Sequence, residues 1–216
     1  SLIKGKEEEP TIVLGWNTGY YDFSKDEIDE LQPLIICDLS LHDVLMNSPA
    51  KNLLKDRYPE LIKNIQNKTW IETNYAYLMK VLVDLKGVTV QKVNSVYDRL
   101  LDKGVSYAAD MLLPNEEALN AIKKSNIKDK IEFWADLDTY DDLSKTNRRD
   151  IQGIKFFTDG AIGTRTAALK ESFKGGNEGV LIYSDEELKN RLLEIMKKEK
   201  PMSIHTIGDK ATEQVL

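Results

Sequence analysis

The sequence contains very little cysteine and histidine for its length. Its 216 residues include one cysteine and two histidines. A single cysteine excludes a disulfide within the chain and is typical of a reducing compartment. Cys37 follows apolar residues 34–36, which predicts a buried, inert thiol and not a nucleophile. We therefore expect a cytoplasmic protein without cysteine chemistry.

Long apolar stretches and a basic surface are absent as well. No segment approaches the roughly 18–20 apolar residues that span a bilayer, and residues 1–9 lack the apolar centre of a signal peptide. The net charge is -6, and acids flank the short lysine run at 197–200. Polyanion binding requires clustered positive charge, so nucleic-acid and membrane partners are not expected. A small-molecule substrate is the partner that remains.

Several catalytic motifs are missing. The chain has no Gly-x-Ser-x-Gly elbow, no Walker loop, no Cys–His nucleophile pair, no His-x-His and no H-E-x-x-H. These absences exclude the common serine hydrolase, nucleotidase and zincin motifs. They leave chemistry to isolated residues that the fold must bring together.

The residues that are present alternate between predicted helices and short apolar strands. Before residue 86, a capping box at Ser24–Glu27 opens a helix, 34–39 is a strand, and 43–66 and 72–85 are mostly helical. After residue 90, strands are predicted at 105–109, 131–137, 153–157 and 201–205, with helices at 90–102, 116–124 and 184–198. A second capping box, at Ser184–Glu187, opens the last of these helices. This alternation is typical of an α/β fold with a parallel sheet. A helix that begins at Asp209 stops after about two turns, so we expect the natural protein to continue past Leu216.

Lys155 is the first candidate for chemistry. On the predicted strand 153–157 it shares a face with Phe157, while Ile154 and Phe156 share the other face. It points either to solvent at a sheet edge or into the interior. An interior lysine would have a lowered pKa, and its neutral amine could act as a Schiff base, a general base or a carbamate that binds a divalent metal.

The segment after Lys155 has its own candidates. Gly160 and Gly163 bracket a tight loop in which Asp159 and Arg165 can hydrogen-bond a polar substrate, although a simple glycine-rich turn is the alternative.

The two histidines each allow two interpretations. His205 closes an apolar strand, where α/β barrels place metal-binding or acid–base histidines, but a structural role is equally open. Asp209 then lies where a helix begins and predicts an N-cap. His42 is either a surface residue that caps the next helix or a substrate contact over a barrel mouth.

Two segments together resemble amidohydrolase family 3, the branch that includes N-substituted formamide deformylase and proteins labelled exoenzyme regulatory. The segments are Lys155-Phe-Phe-Thr-Asp-Gly-Ala-Ile-Gly-Thr-Arg165-Thr-Ala-Ala and His205-Thr-Ile-Gly-Asp-Lys-Ala211. The residues at 15–17, 31–33, 42–48 and 104–110 match the same family in the same order.

The resemblance implies a partial (β/α)8 TIM barrel, about strands 2–5, over residues 87–216, preceded by a small α/β insert domain over 1–86. In the family a divalent metal is held by a His-x-His, a lysine that is often carbamylated, two further histidines and an aspartate. We expect this metal to be zinc. Lys155 and His205 occupy two of these positions. His42, Asp159, Gly160, Arg165 and Asp209 would then contact the substrate.

The resemblance also implies hydrolysis of an amide-type carbon–nitrogen bond through a metal-activated water. The missing ligands predict that this fragment alone is inactive. A non-catalytic binding or regulatory module on the same scaffold, a Schiff-base lyase that uses Lys155, and a simple turn-and-cap account of both motifs are the alternatives. An open barrel would expose sheet edges, so self-association is a further hypothesis.

Overall fold

The structure, a computed structural model, describes residues 9–17 and 20–216. Most of the N-terminal stretch considered for a signal peptide lies outside the described residues. The strands are β1 Thr11–Trp16, β2 Leu34–Asp38, β3 Val44–Met46, β4 Ala108–Asp110, β5 Ile131–Ala135, β6 Ile151–Phe157 and β7 Met202–His205. The α-helices are α1 Lys25–Asp29, α2 Ser48–Leu54, α3 Pro59–Asn64, α4 Lys68–Thr73, α5 Tyr75–Lys86, α6 Val90–Asp102, α7 Glu116–Lys123, α8 Leu137–Asp142, α9 Asp185–Met196 and α10 Asp209–Val215.

The chain divides into two compact units, and each is discontinuous in sequence. Unit 1 contains the described residues up to 75 together with 157–182 and 206–216, and unit 2 contains 76–156 and 183–205. The expected division between an insert over 1–86 and a barrel over 87–216 concerns the intact protein and stays a prediction.

Unit 1 contains a three-stranded sheet in the order β1-β2-β3. Strand β2 is buried along its whole length, pairs in parallel with β1 and pairs antiparallel with β3. Ile28 of α1 packs against Leu34 and Ile36 of β2, with Trp16 and Phe23 at the margin of this cluster. The apolar run of β2 is therefore the centre of the unit 1 core.

Asn47 connects the elements of unit 1. Its side chain is almost fully buried, and it makes five hydrogen bonds of 2.8–3.2 Å, accepting from the backbone N–H groups of Leu34 and Ala50 and donating to the carbonyls of Ile28, Leu31 and Gln32. The bond to Ala50 is the N-cap of α2. One amide thus ties the end of α1, the start of β2 and the start of α2.

Unit 2 contains a four-stranded sheet in the order β4-β5-β6-β7. Strands β4 and β5, and β5 and β6, pair in parallel. Parallel pairing requires crossovers, which α7 and α8 supply here. The predicted mixed α/β fold with a parallel sheet is confirmed.

Most predicted elements are present, with corrections at three places. Residues 44–46 form strand β3 and not the start of a helix, the predicted helix at 72–85 is interrupted at Asn74, and residue 137 begins α8 and does not end a strand. Both capping boxes are confirmed, at Ser24–Glu27 and at Ser184–Glu187. Among the described residues, no helix combines the length and the apolar character needed to cross a membrane.

Candidate functional site

Lys155 lies on an interior strand of the unit 2 sheet. Strand β6 has β5 on one side and β7 on the other, so the interpretation of Lys155 as a sheet-edge residue is wrong. Its neighbours Ile154 and Phe156 are buried on one face, while Lys155 is half-buried on the other. Burial lowers the pKa of the Lys155 amine, because desolvation penalises the charged form. At a given pH, therefore, a larger fraction of the Lys155 amine is neutral than on an exposed lysine.

His205 is the last residue of β7, the strand next to β6. The two strands approach closely because Gly153 carries no side chain: a Cβ there would lie 2.2 Å from Trp134 Cζ3 and 2.7 Å from the Pro201 carbonyl oxygen. The Ile154 N–H donates to that same carbonyl at 2.8 Å. Lys155 and the half-buried His205 thus lie on adjacent strands of one sheet.

Two aspartates at strand ends were not predicted as site residues. Asp110 is the last residue of β4, and Asp136 follows β5 and caps α8 by accepting from the Thr139 N–H at 2.6 Å. Burial raises the pKa of both carboxyls, and hydrogen bonds from the backbone N–H groups of Leu112 and Thr139 partly oppose this shift. Their position at the carboxyl ends of parallel strands was the signal that could have found them. We call these two aspartates, Lys155 and His205, which lie in or directly after strands of the unit 2 sheet, the strand-end group.

Asp159 in unit 1 organises the backbone. It is fully buried, and its carboxylate accepts from the N–H groups of Ala168 at 3.0 Å, Ile207 at 3.0 Å and Gly208 at 2.7 Å. These three bonds fix the backbone of the segments that follow β6 and β7 in sequence. The predicted substrate contact of Asp159 therefore stays a prediction, beside a structural role that the geometry explains.

The remaining loop candidates of unit 1 differ in exposure. Gly160 is buried, and it must be a glycine: a Cβ there would lie 2.2 Å from Thr166 Oγ1 and 2.4 Å from Glu72 Oε1. Arg165 is exposed with a positive φ of 58°, and its guanidinium donates to the Lys174 carbonyl at 3.2 Å.

The predicted cap at Asp209 is wrong. Gly208 is the N-cap residue of α10, and no side chain caps this helix. Asp209 is instead exposed and accepts from the Lys170 N–H at 2.9 Å, so it fastens the loop around residue 170.

His42 is buried, so its interpretation as a surface cap is wrong, and Asn47 caps the next helix. Its Nδ1 lies 2.6 Å from Glu72 Oε2, and its ring stacks on Tyr75 with centroids 4.5 Å apart. Glu72 is 1% exposed. Sequence reasoning missed Glu72, because its partner His42 is 30 residues away and its neighbours Ile71 and Thr73 give no local signal. We call His42, Glu72 and Tyr75 the histidine group.

A divalent metal would find part of a ligand set in unit 2. Lys155, as a carbamate, and His205 offer an anionic oxygen and an imidazole nitrogen, which suit zinc and related ions. A catalytic zinc usually has about three protein ligands. Within residues 9–17 and 20–216, no group of three or more His, Cys, Asp or Glu side chains could hold a metal ion. The donor chemistry fits a metal, and the donor count is short of a full site.

Solved structures share the fold. An uncharacterized metal-dependent hydrolase from Pyrococcus horikoshii OT3 matches 98% of this chain with a TM-score of 0.61 and 23% identity, and one from Pyrococcus furiosus matches 94% with 0.58 and 21%. The chain covers 47% of each of them. These likenesses establish the architecture, and the chain spans about half the length of either hydrolase.

Sequence comparison gives the family. The protein named "Putative amidohydrolase YtcJ" of Bacillus subtilis (strain 168) is 31% identical over 123 residues, which are 52% of this chain and 22% of that protein. The amidohydrolase family profile matches residues 41–216, which include Lys155 and His205. Because this match spans well over half of the sequence, the chain belongs to amidohydrolase family 3.

Proposed function

We propose that the chain is part of a metal-dependent hydrolase that cleaves amide-type carbon–nitrogen bonds, with Lys155 and His205 as ligands of a divalent metal, zinc. The observation that supports this is a lysine of lowered pKa on an interior strand, next to a strand that ends in histidine. Family membership supports the hydrolase class. The single cysteine supports a cytoplasmic location.

The barrel assignment is a further part of this proposal. Strands β4 to β7 would be about strands two to five of a (β/α)8 barrel, with residues 1–86 as the insert. The match to 47% of each solved hydrolase supports a chain that supplies roughly half of such a fold.

Lys155 prepares the site by its own chemistry. The lone pair of its neutral amine attacks carbon dioxide, a C–N bond forms, one C–O π bond opens, and a proton leaves to solvent. The product is a carbamate that carries one negative charge and two oxygens, and His205 adds an imidazole nitrogen from β7. A metal held by these two residues would polarise a substrate carbonyl and activate water for attack.

The substrate would be a small molecule with polar groups. We assign its contacts to His42, Asp159, Gly160, Arg165 and Asp209. The exposed guanidinium of Arg165 supports these assignments best, because it is a polar group at the surface that the Lys174 carbonyl holds in place.

Zinc binding and carbamate formation test the proposed ligands. Wild type should bind zinc saturably, and Lys155→Ala or His205→Ala should weaken binding about tenfold or more, since each removes one ligand. Lys189→Ala, an exposed lysine on α9, is the control and should bind as wild type. With ¹³C-bicarbonate, a carbamate carbon signal should appear in NMR spectra of wild type and vanish in Lys155→Ala. Wild-type zinc affinity in both ligand variants would refute the assignment.

Hydrolysis is not expected from the 216 residues alone, because the described part of the chain offers too few metal ligands. Amide turnover by the purified chain with zinc, abolished by Lys155→Ala, would contradict this expectation. The second candidate function is a non-catalytic binding or regulatory module on the same scaffold. Saturable binding of a small amide without turnover, retained in Lys155→Ala, would support that candidate.

Borohydride trapping distinguishes a Schiff-base lyase that uses Lys155 from the metal-dependent hydrolase. Reduction in the presence of a carbonyl compound should leave Lys155 unmodified in a peptide mass map if Lys155 is a metal ligand. A mass increase confined to Lys155 would instead support the lyase.

A further inference from the structure

A basic cavity lies in unit 2, apart from the strand-end group. It measures about 260 Å³ and is lined by Tyr140, Lys145, Arg148, Arg149 and Lys200. Four of these five side chains are cationic, in a chain whose net charge is -6. Like charges repel, so such a cluster calls for either nearby acids or an anionic ligand.

Three acids near the lining residues in sequence are paired with lysines outside the cavity, whereas Glu199, next to Lys200, is in no ion pair within the described residues. Asp141 binds Lys198 at 2.6 Å and 2.7 Å, while Asp150 binds Lys123 at 2.5 Å. Asp142 lies 3.8 Å from Lys80. None of these three lysines lines the cavity. In the described part of the chain, therefore, none of the four lining cations is in ion-pair contact with a carboxylate.

Two of the cations are held in place by backbone carbonyls. The Arg148 guanidinium donates to the Leu143 carbonyl at 2.9 Å and also to the Asp141 carbonyl, and it lies 5.6 Å above the Tyr140 ring. The Lys200 amine donates to the Ile151 carbonyl. These groups are positioned before any ligand arrives, which lowers the ordering cost of binding.

The other two cations face solvent. Lys145 and Arg149 are exposed, and within the described ranges neither has a carboxylate in ion-pair contact. Arginine can bind two phosphate oxygens at once through its planar fork, and lysine adds a mobile point charge. Two fixed and two mobile cations suit an anion with several charged oxygens.

The position of the cavity separates it from the proposed chemistry. Ile151, which holds Lys200, is the first residue of β6, and Lys200 lies just before β7 begins. The cavity is thus at the amino ends of these strands, whereas His205 is at the carboxyl end of β7. A ligand here would bind at a second site.

We propose that this cavity binds a compact phosphate-class polyanion such as pyrophosphate or a small phosphate ester. Its volume is below the roughly 300 Å³ at which drug-sized sites begin, so a small ion fits better than a whole nucleotide. The proposal is independent of the hydrolase chemistry proposed above.

Calorimetric titration of the 216-residue chain with pyrophosphate, at fixed ionic strength, tests this site. Wild type should show saturable binding, and Lys145→Gln/Arg149→Gln should weaken it about tenfold or more. The matched control is Lys128→Gln/Lys189→Gln, which removes the same charge from two exposed positions outside the cavity and should change the Kd less than about twofold.

A second measurement does not depend on any variant. Backbone amide shifts in NMR spectra of wild type titrated with pyrophosphate should change at residues 140–150 and 198–201. Absent saturation, equal weakening in both double variants, or shifts spread over all exposed lysines would overturn the proposal. Tighter binding of citrate than of pyrophosphate would overturn the assignment to the phosphate class.

Discussion

At the scale of single residues, the histidine group shows how a buried carboxyl group, that of Glu72, is held by a partner. Glu72 is 1% exposed and approaches His42 at 2.6 Å, and within the described structure its second oxygen, Oε1, has no hydrogen-bond partner. The missing partner costs free energy, which the close approach to His42 must offset. This arrangement fixes the orientation of the His42 ring against Tyr75.

Replacing Glu72 should therefore destabilise the chain strongly. We expect Glu72→Ala to lower the free energy of unfolding by about 3–5 kcal/mol, because it leaves a buried imidazole without its carboxylate. Glu117→Ala removes an exposed glutamate from α7 and should cost less than about 1 kcal/mol. Urea denaturation followed by circular dichroism measures both. Equal losses in the two variants would mean that the pair with His42 adds no stability.

Asp110 predicts a pH dependence of stability. Its carboxyl has a pKa raised above the ordinary value of 3.8, mainly by burial. The folded state therefore binds a proton more tightly than the unfolded state, and stability from this group falls as pH rises from about 4 through the folded pKa. Asp110→Asn is neutral at every pH and should remove this loss.

Relative to wild type, Asp110→Asn should thus gain stability as pH rises from 4 to 7, and urea midpoints across this range measure it. Asp98→Asn, an exposed aspartate on α6, is the control. A gain of the same size and slope in the control would show that net charge, and not burial of Asp110, sets the trend.

At the scale of elements, local signals were predictable and distant pairings were not. The capping boxes at Ser24 and Ser184 define helix starts through bonds within one turn, and sequence alone finds them. Strand β3 exists because residues 44–46 pair with residues 35–37 of β2, a contact that no local pattern encodes. Strand β1 was not predicted for the same reason, since it forms by pairing with β2.

Site residues follow the same division. Lys155 and His205 stand out because of their strand positions, and the alternation along β6 correctly placed Lys155 opposite Ile154 and Phe156. The roles of Asp159 and Glu72 depend on partners 9–49 residues away in sequence. Such contacts arise only when the fold is complete, so a single sequence gives little signal for them.

A comparison of Asn47 with Asn67 separates the stability that comes from helix capping from the stability that comes from connecting several elements. Both cap a helix, but Asn67 is exposed, whereas Asn47 is buried and donates to three carbonyls in addition. Asn67→Ala should cost about 1 kcal/mol of unfolding free energy. Asn47→Ala should cost about 3 kcal/mol or more, because buried carbonyls lose their donor. Chemical denaturation measures both free energies of unfolding. Similar losses in the two variants would mean that Asn47 contributes no more than a helix cap.

At the scale of the whole molecule, the chain exposes apolar groups along one sheet edge. Strand β1 is at the edge of the unit 1 sheet in the described part of the chain, and Val13 and Leu14 on it are 39% and 65% exposed. An exposed, apolar edge strand is a template for pairing with a second copy. We therefore propose β1 as the contact for the self-association that was a hypothesis from the sequence.

Self-association through β1 can be measured by sedimentation equilibrium. Wild type should show a mass that rises with concentration, and Val13→Lys should shift it to monomer, because a charge at an edge strand opposes pairing. Val96→Lys makes the same change at a 47% exposed valine on helix α6 and should leave association unchanged. If wild type is monomeric at every concentration, or if both variants dissociate equally, β1 is not the contact. If Val13→Lys still associates as wild type does, the interface lies elsewhere on the chain.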